Sequence, residues 1–432
     1  MMPTSLERIA NKARKQKKHR FGNLFKLLNE ELLRDCWTRL NKNAALGVDK
    51  VSYQEYDANL SENLRSLVER LKEKRYRARL IRRCCIPKGN GKSRKLGIPA
   101  TEDKLLQYAA AKILQAIFEE DFLPNMFGYR PNRNAHSAIA ALQTQFREGC
   151  FHHVVEADVK GFFDNIDHGW MVKMLEERIN DSAFIWLIKK WLKAGVLDIT
   201  GLVISPTTGT PQGGLISPIL SNIYMHYVLN LWFERIFRKG CRGKAYLCIY
   251  ADDFVVAFEC KEDAERFYAC LGERLGKFGL ALAAEKTNLI LFSRSKQLES
   301  KTFDFLGFEF RWRKHSSGRN WMKCTTSPKK VRASLRSFRT WCRENRHTPV
   351  SLLFKDLNAK LRGYNNYYGI SGNWDGLASF HFKAISTLFR SLNRRSQMRS
   401  YNKRGFEELL KTFKVERPRI RRNPQMLLPF SC

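Results

Sequence analysis

The chain has 432 residues, enough for two or three domains with cores of their own, and a 44% hydrophobic content excludes a disordered polypeptide. Lys and Arg number 77 against 42 Asp and Glu, a formal charge of +35, and such an excess points to a polyanionic partner, nucleic acid first. The 29 Phe, 14 Tyr and 9 Trp argue against a ribosomal-type basic protein, while 11 Cys without a Cys-x-x-Cys pair indicate neither zinc nor a disulfide framework and fit a reducing interior.

The N-terminal stretch Met1–Arg20 has no apolar core of the secretory kind. Six Lys or Arg and no acid lie within residues 11–20, and the apolar spacing of Phe21–Leu40 then suits a helix, so this end reads as a solvated basic arm leading into a helix. Arg70–Lys95 carries twelve basic residues and one acid, Glu73. Within it, Ile86-Pro87-Lys88-Gly89-Asn90-Gly91-Lys92-Ser93-Arg94 places glycines between two extended pieces and predicts a basic β-hairpin, with Lys88 and Arg94 flanking its turn. Thr101 is expected to cap a helix with Glu102 and Asp103 in its first turn and a buried stripe of Leu105, Ala109, Ile113 and Ile117.

Phe151–Lys160 reads as a strand by its valines, with Asp158 at its exit, where a carboxylate is costly unless it has a task; His152 and His153 read as structural. Thr210-Pro211-Gln212-Gly213-Gly214 predicts a glycine turn opening a helix over Leu215–Phe233, with free N–H groups that would favour a phosphate. That helix is the longest apolar stretch, but Ser217, Ser221, Asn222, His226 and Asn230 interrupt it, so it reads as amphipathic and not as a membrane span. In Ala245–Phe258, two apolar runs flank Ala251-Asp252-Asp253, the pattern of a tight hairpin with twin carboxylates at its tip. Phe303–Phe310 alternates like a strand pair. Beyond Ser327, basic helices alternate with aromatic clusters such as Gly363-Tyr364-Asn365-Asn366-Tyr367-Tyr368, and residues 311–432 hold 28 basic and 6 acidic side chains. Such a surface, with Tyr364, Tyr367 and Tyr368 among the basic residues, suits phosphate tracking and base stacking.

If the strand ending at Asp158 neighbours the Asp252-Asp253 hairpin in one sheet, three carboxylates converge. Such a cluster can hold two Mg²⁺ ions roughly 3.5–4 Å apart, one activating a 3′-hydroxyl and one steadying pyrophosphate. Nucleotide polymerisation fits that chemistry.

The order of Ile98-Pro99, Gly128-Tyr129-Arg130-Pro131, Asp158 to Asp164, Pro211-Gln212-Gly213-Gly214, Tyr250-Ala251-Asp252-Asp253, Glu285-Lys286-Thr287 and Phe305-Leu306-Gly307 resembles the group II intron-encoded reverse transcriptases, or maturases. The resemblance covers the chain from about Phe21 to the basic tail. It implies an α+β right-hand polymerase: a basic arm over 1–20, fingers over 21–150, an antiparallel palm sheet with helices over 151–311, an α-helical thumb or maturase domain over 312–410, and a basic tail over 411–432. It also implies RNA-directed DNA synthesis, with two Mg²⁺ (Mn²⁺ as a substitute) held by Asp158, Asp252, Asp253 and the Val159 carbonyl. Phe163 would be the sugar gate, Lys88 and Arg94 would grip the triphosphate, Gln212 would line the nucleotide pocket, and Lys286 would stand near the triphosphate. The implied partners are an RNA template, a cognate intron RNA, a DNA primer or target and deoxynucleoside triphosphates, without a membrane. The expected location is cytoplasmic, nucleoid-associated in a bacterium. Asn230 stands where the family often has Asp, and Cys248-Ile249 where Arg is frequent. No Cys-x-x-Cys or His–Asn–His cluster follows the thumb, so an endonuclease is not expected. A role in DNA repair or phage defence keeps every one of these residues, and a non-catalytic RNA chaperone would tolerate the loss of the carboxylates.

Overall fold

The structure, a computed structural model, describes residues 4–87, 93–198, 200–295, 300–314, 318, 320–395 and 400–421. Two compact units divide the chain. One takes it up to Ala138, then Ala157–Val256 and Glu262–Asn288; the other takes Ile139–Glu156, Ala257–Lys261 and the chain from Leu289 on.

In the first unit the basic arm is not loose. Thr4–Lys15 forms a helix that buries Leu6 and Ala13, Arg14 pairs with Glu120 at 2.9 Å, and Phe21 N–H donates to Arg178 O. The apolar spacing after it yields a shorter helix than expected, Glu30–Thr38, because Phe21 is held in a bridge to Ile179 and Asn29 caps the helix through Leu32 N. The basic hairpin forms as predicted: β1 (Ile81–Pro87) pairs antiparallel with β2 (Ser93–Ile98), Ile86 opposite Arg94. Its turn, with Lys88, lies outside the described residues.

Helix α1 (Thr101–Phe118) follows, but Ala100 is its N-cap, and the Thr101 hydroxyl donates to Val51 O at 2.7 Å instead. Its buried face is wider than a stripe, since Leu106, Ala110 and Leu114 are buried along with Leu105, Ala109, Ile113 and Ile117. The first-turn acids tie neighbouring segments down: Glu102 pairs with Arg70, and buried Asp103 accepts from the Tyr76 hydroxyl at 2.5 Å and Arg79 N at 3.0 Å. Burial pushes the Asp103 carboxyl up to about 6.

The palm-like sheet has the order β4 (Ala245–Tyr250), β5 (Asp253–Phe258), β3 (His153–Asp158), β6 (Asn288–Leu291). Against the expectation of an amphipathic helix, α2 (Ser217–Met225) is buried all round and runs on through two π-helical turns, His226–Asn230 and Phe233–Phe237. Ser217, Ser221, Asn222, His226 and Asn230 are all at most 2% exposed. Ser217 and Asn222 find partners inside the unit, while Ser221 Oγ, His226 Nδ1 and the side-chain amide of Asn230 have none among the described residues. Asn222 Nδ2 donates to Gly128 O at 2.8 Å, and burial holds His226 neutral by lowering its pKa to about 3.

In the second unit, β7 (Phe303–Phe305) and β8 (Phe308–Lys314) form the predicted strand pair, and β9 (Asn320–Thr326) extends it on the other side of β8. Phe303 and Phe310 stack at 4.7 Å, and Phe146 and Phe292 pack edge-on beside them. Helices α3 (Pro328–Glu344), α4 (Val350–Tyr368) and α5 (Trp374–Leu392) close around Phe338, Phe354, Leu357, Phe380 and Leu388. Among the described residues no helix is long and apolar enough to cross a membrane.

Candidate active site

Strand pairing decides which acids meet. His152 N–H donates to Phe258 O at 2.9 Å at one end of the β3–β5 pair, so the strands run antiparallel and carry Asp158 and Asp253 to the other end together. On the opposite edge of β3, Ala283 N–H donates to Asp158 O and Lys160 N–H to Ala281 O, at 2.9 and 2.8 Å. That bridge uses the carbonyl of Asp158, so the Val159 carbonyl points away from it, toward the β5 side. The short Ala284–Lys286 turn then sets the Lys286 ammonium against Asp158 Oδ2.

The twin acids owe their position to a strained turn. Ala251, between β4 and Asp252, has φ +57 although it is not glycine. The Gly-Tyr-Arg-Pro segment braces it: Phe127 N–H donates to Ile249 O and Ile249 N–H to Asn125 O, both at 2.9 Å. A Cβ on Gly128 would stand 2.4 Å from the Ala251 nitrogen, so only glycine allows this approach. Buried Arg130 locks the segment from behind, bonding Glu119 through two nitrogens and donating to Leu123 O and Met126 O at 2.7 and 3.0 Å.

Burial, opposed by the twin-acid turn's own backbone donor, raises the Asp252 carboxyl, with Asp158 adding to the rise and Arg94 and Lys286 offsetting it. Burial and the charges of Asp252 and Asp158 push Asp253 up to about 7, against Lys286. The fold brings two cations, Arg94 and Lys286, to bear on the acids. Lys286, expected near a triphosphate, is ion-paired to Asp158, whose hydrogen bond raises its ammonium pKa above the ordinary lysine value. Among the described residues no group of three His, Cys, Asp or Glu side chains, the three aspartates included, is arranged so that it could hold a metal ion. The donors nevertheless suit a hard divalent cation, being carboxylate oxygens whose crowding and burial a positive ion would relieve.

The other candidates fall into two groups. Phe163 is half-buried on the 3₁₀ turn Phe162–Asp164, and its carbonyl accepts Thr210 N–H at 2.7 Å, which ties it to the glycine loop carrying Gln212. Gln212 O in turn accepts Gly97 N–H from β2 at 2.6 Å, so the loop and the basic hairpin are joined. Several of the donors at the helix start are used within the fold: the N–H groups of Gly214, Leu215 and Ser217 are taken by Pro211 O, Gln107 Oε1 and Gly214 O. The tyrosine cluster belongs to the second unit. There Tyr364 stacks on Phe380 at 3.6 Å and 10°, which occupies the ring face a base would need, so its expected stacking role is corrected to packing. Tyr368 is half-buried against Phe308, and Tyr367, 40% exposed, donates to Leu306 O at 2.9 Å.

Adjacent acids on a hairpin turn, a third at the end of the neighbouring strand, and a helix-backed antiparallel sheet define the palm of a right-hand nucleic-acid polymerase. The chain belongs to the reverse transcriptase (RNA-dependent DNA polymerase) family, whose profile matches residues 86–310. It is 33% identical over 273 residues to protein YkfC of Escherichia coli, covering 56% of this chain and 71% of that one. Group II intron-encoded protein LtrA of Lactococcus lactis is 35% identical over 230 residues, covering 52% and 38%. A putative COX1/OXI3 intron 1 protein of Saccharomyces cerevisiae is 32% identical over 224 residues, covering 52% and 26%. The chain thus spans well under half the length of these two intron proteins.

Proposed function

We propose that this chain extends a primer 3′ end on an RNA template by two-metal nucleotidyl transfer, and that its basic helical unit binds a structured intron RNA to assist splicing and mobility. The observation that carries the catalytic half is the meeting of Asp158, Asp252 and Asp253 at one end of the sheet. Asp158, Asp252, Asp253 and the Val159 carbonyl would hold Mg²⁺, which when bound supplies charge neutralisation for the attacking and leaving oxygens. Lys286, ion-paired to Asp158, holds that side chain in place until then. Arg94 on β2, within electrostatic reach of Asp252, and Lys88 grip the triphosphate, and Gln212 and Phe163 line the base and sugar sides. In this reading residues 21–150 act as fingers, 151–311 as palm and 312–410 as thumb. The test is extension of matched primers on RNA and DNA templates with Mg²⁺; absence of DNA product from the purified chain would favour an RNA chaperone. Phe163→Ala is expected to admit ribonucleotides by at least about tenfold in relative kcat/KM, and unchanged sugar discrimination removes the gate.

The RNA-binding half rests on a groove in the second unit. Arg336, Arg339, Arg343 and Arg346 recur at helical spacing along α3 and its end, and Arg390 on α5 and Arg394 just past its end line the same cavity of about 300 Å³. Among the described residues no acidic side chain lines it. Rows of guanidinium groups without carboxylates suit the phosphates of a nucleic-acid strand. Changing Arg336, Arg339 and Arg343 together to Gln is expected to weaken RNA binding across sequences and to lower the slope of log K against log salt by about 2–3. An unchanged slope, measured by filter binding, places the RNA elsewhere.

A further inference from the structure

The segment bracing the carboxylate hairpin carries one side chain that the brace does not need. Gly128 provides the close approach to Ala251, Arg130 the buried clamp, and Asn222 holds the Gly128 carbonyl. Tyr129, between Gly128 and Arg130, is 50% exposed and adopts φ +54. A bulky aromatic residue in the left-handed region is unfavourable, and one that is half exposed recovers only part of its packing in return. Glycine would be the comfortable residue at this angle. The strain persists because both neighbours are over-determined, and it sets the ring beside the catalytic turn, where burial raises its hydroxyl pKa and Asp252, Tyr250 and Arg94 act on it. Two non-glycine left-handed residues, Tyr129 and Ala251, thus belong to the two segments that touch at this turn.

Resting on the polymerase reading above, we propose that Tyr129 is a nucleotide-contacting residue, its ring packing against the base or sugar of a nucleotide held beside Asp252. Such a nucleotide could be the incoming triphosphate or the last residue of the primer. The chemistry is the same for both: an exposed aromatic face offers stacking to any base, without sequence preference. Arg94 of the proposed triphosphate grip and Asp252 of the proposed metal site both act on this tyrosine, whose ring offers a nucleotide there an apolar surface.

Tyr129→Gly separates function from structure, because relief of the left-handed strain should leave the melting temperature unchanged or higher. The expected result is a rise of about tenfold in KM for deoxynucleotide if the ring meets the incoming triphosphate. If it meets the primer end, primer–template affinity by fluorescence anisotropy falls by about tenfold instead. Tyr129→Phe keeps the ring and should stay close to wild type in both measurements. A Tyr129→Gly protein with wild-type KM and wild-type primer–template affinity overturns the inference while leaving the polymerase reading intact, and so does one whose melting temperature falls. A wild-type chain that extends no primer overturns the polymerase reading and this inference together.

Discussion

Asp252→Ala reduces primer extension by about a thousandfold or more while RNA affinity stays within about twofold of wild type. The size follows from the role: a carboxylate that holds a Lewis-acid metal contributes several kcal/mol at the transition state, and each 1.36 kcal/mol is tenfold in rate. Affinity is spared because the phosphate-binding charge lies in the arginine rows of the second unit and the basic hairpin. The fold should also survive. Asp252 is raised by burial and by Asp158, so its removal relieves like-charge repulsion and leaves Asp158 with its Lys286 partner. Single-turnover extension and filter binding on the same preparation decide it, and a parallel loss of both would mean that Asp252 is a structural acid.

Asp253→Asn, by contrast, stabilises the metal-free protein as it inactivates it. Burial and two neighbouring carboxylates raise the Asp253 carboxyl from its ordinary 3.8 to about 7, so between those values the folded chain keeps a proton that the unfolded chain releases. Stability therefore falls as pH rises from about 4 to about 7, since the unfolded state binds fewer protons over that window. Above pH 7 the full cost is present, on the order of a few kcal/mol. The amide carries no charge and removes that slope. The expected result in EDTA is a higher melting temperature for Asp253→Asn than for wild type at pH 8, with the difference shrinking toward pH 4. Added Mg²⁺ should raise the wild-type melting temperature and do little for the variant, because the ion must displace the proton to bind. Equal melting temperatures at pH 8 would show that the cluster is not under electrostatic stress.

Much of the centre was legible before any coordinates. The Ala245–Phe258 pattern specified its hairpin because β-branched and aromatic runs around a short polar step have few other ways to fold, and Asp158 announced itself by standing at the end of a valine-rich strand. What misled was local polarity. Ser221, Asn222, His226 and Asn230 read as a wet helix face, yet the fold buries them, and Asn222 holds the Gly128 carbonyl. Tyr364 read as an exposed stacking ring, yet Phe380 from another helix covers its face. A basic arm read as solvated is docked through Arg14 and Glu120, 106 positions apart.

The one-dimensional record determined the hairpin, the basic turn, the positive excess toward the C-terminus and the order of motifs, because these depend on residue type and short-range spacing alone. Tertiary structure decided which charges meet: Lys286 reaches Asp158 only because the chain returns beside β3, and Gly128 reaches Ala251 only because a distant segment runs along β4. Coulomb energy depends on distance in space, and separations of more than a hundred residues along the chain say nothing about it.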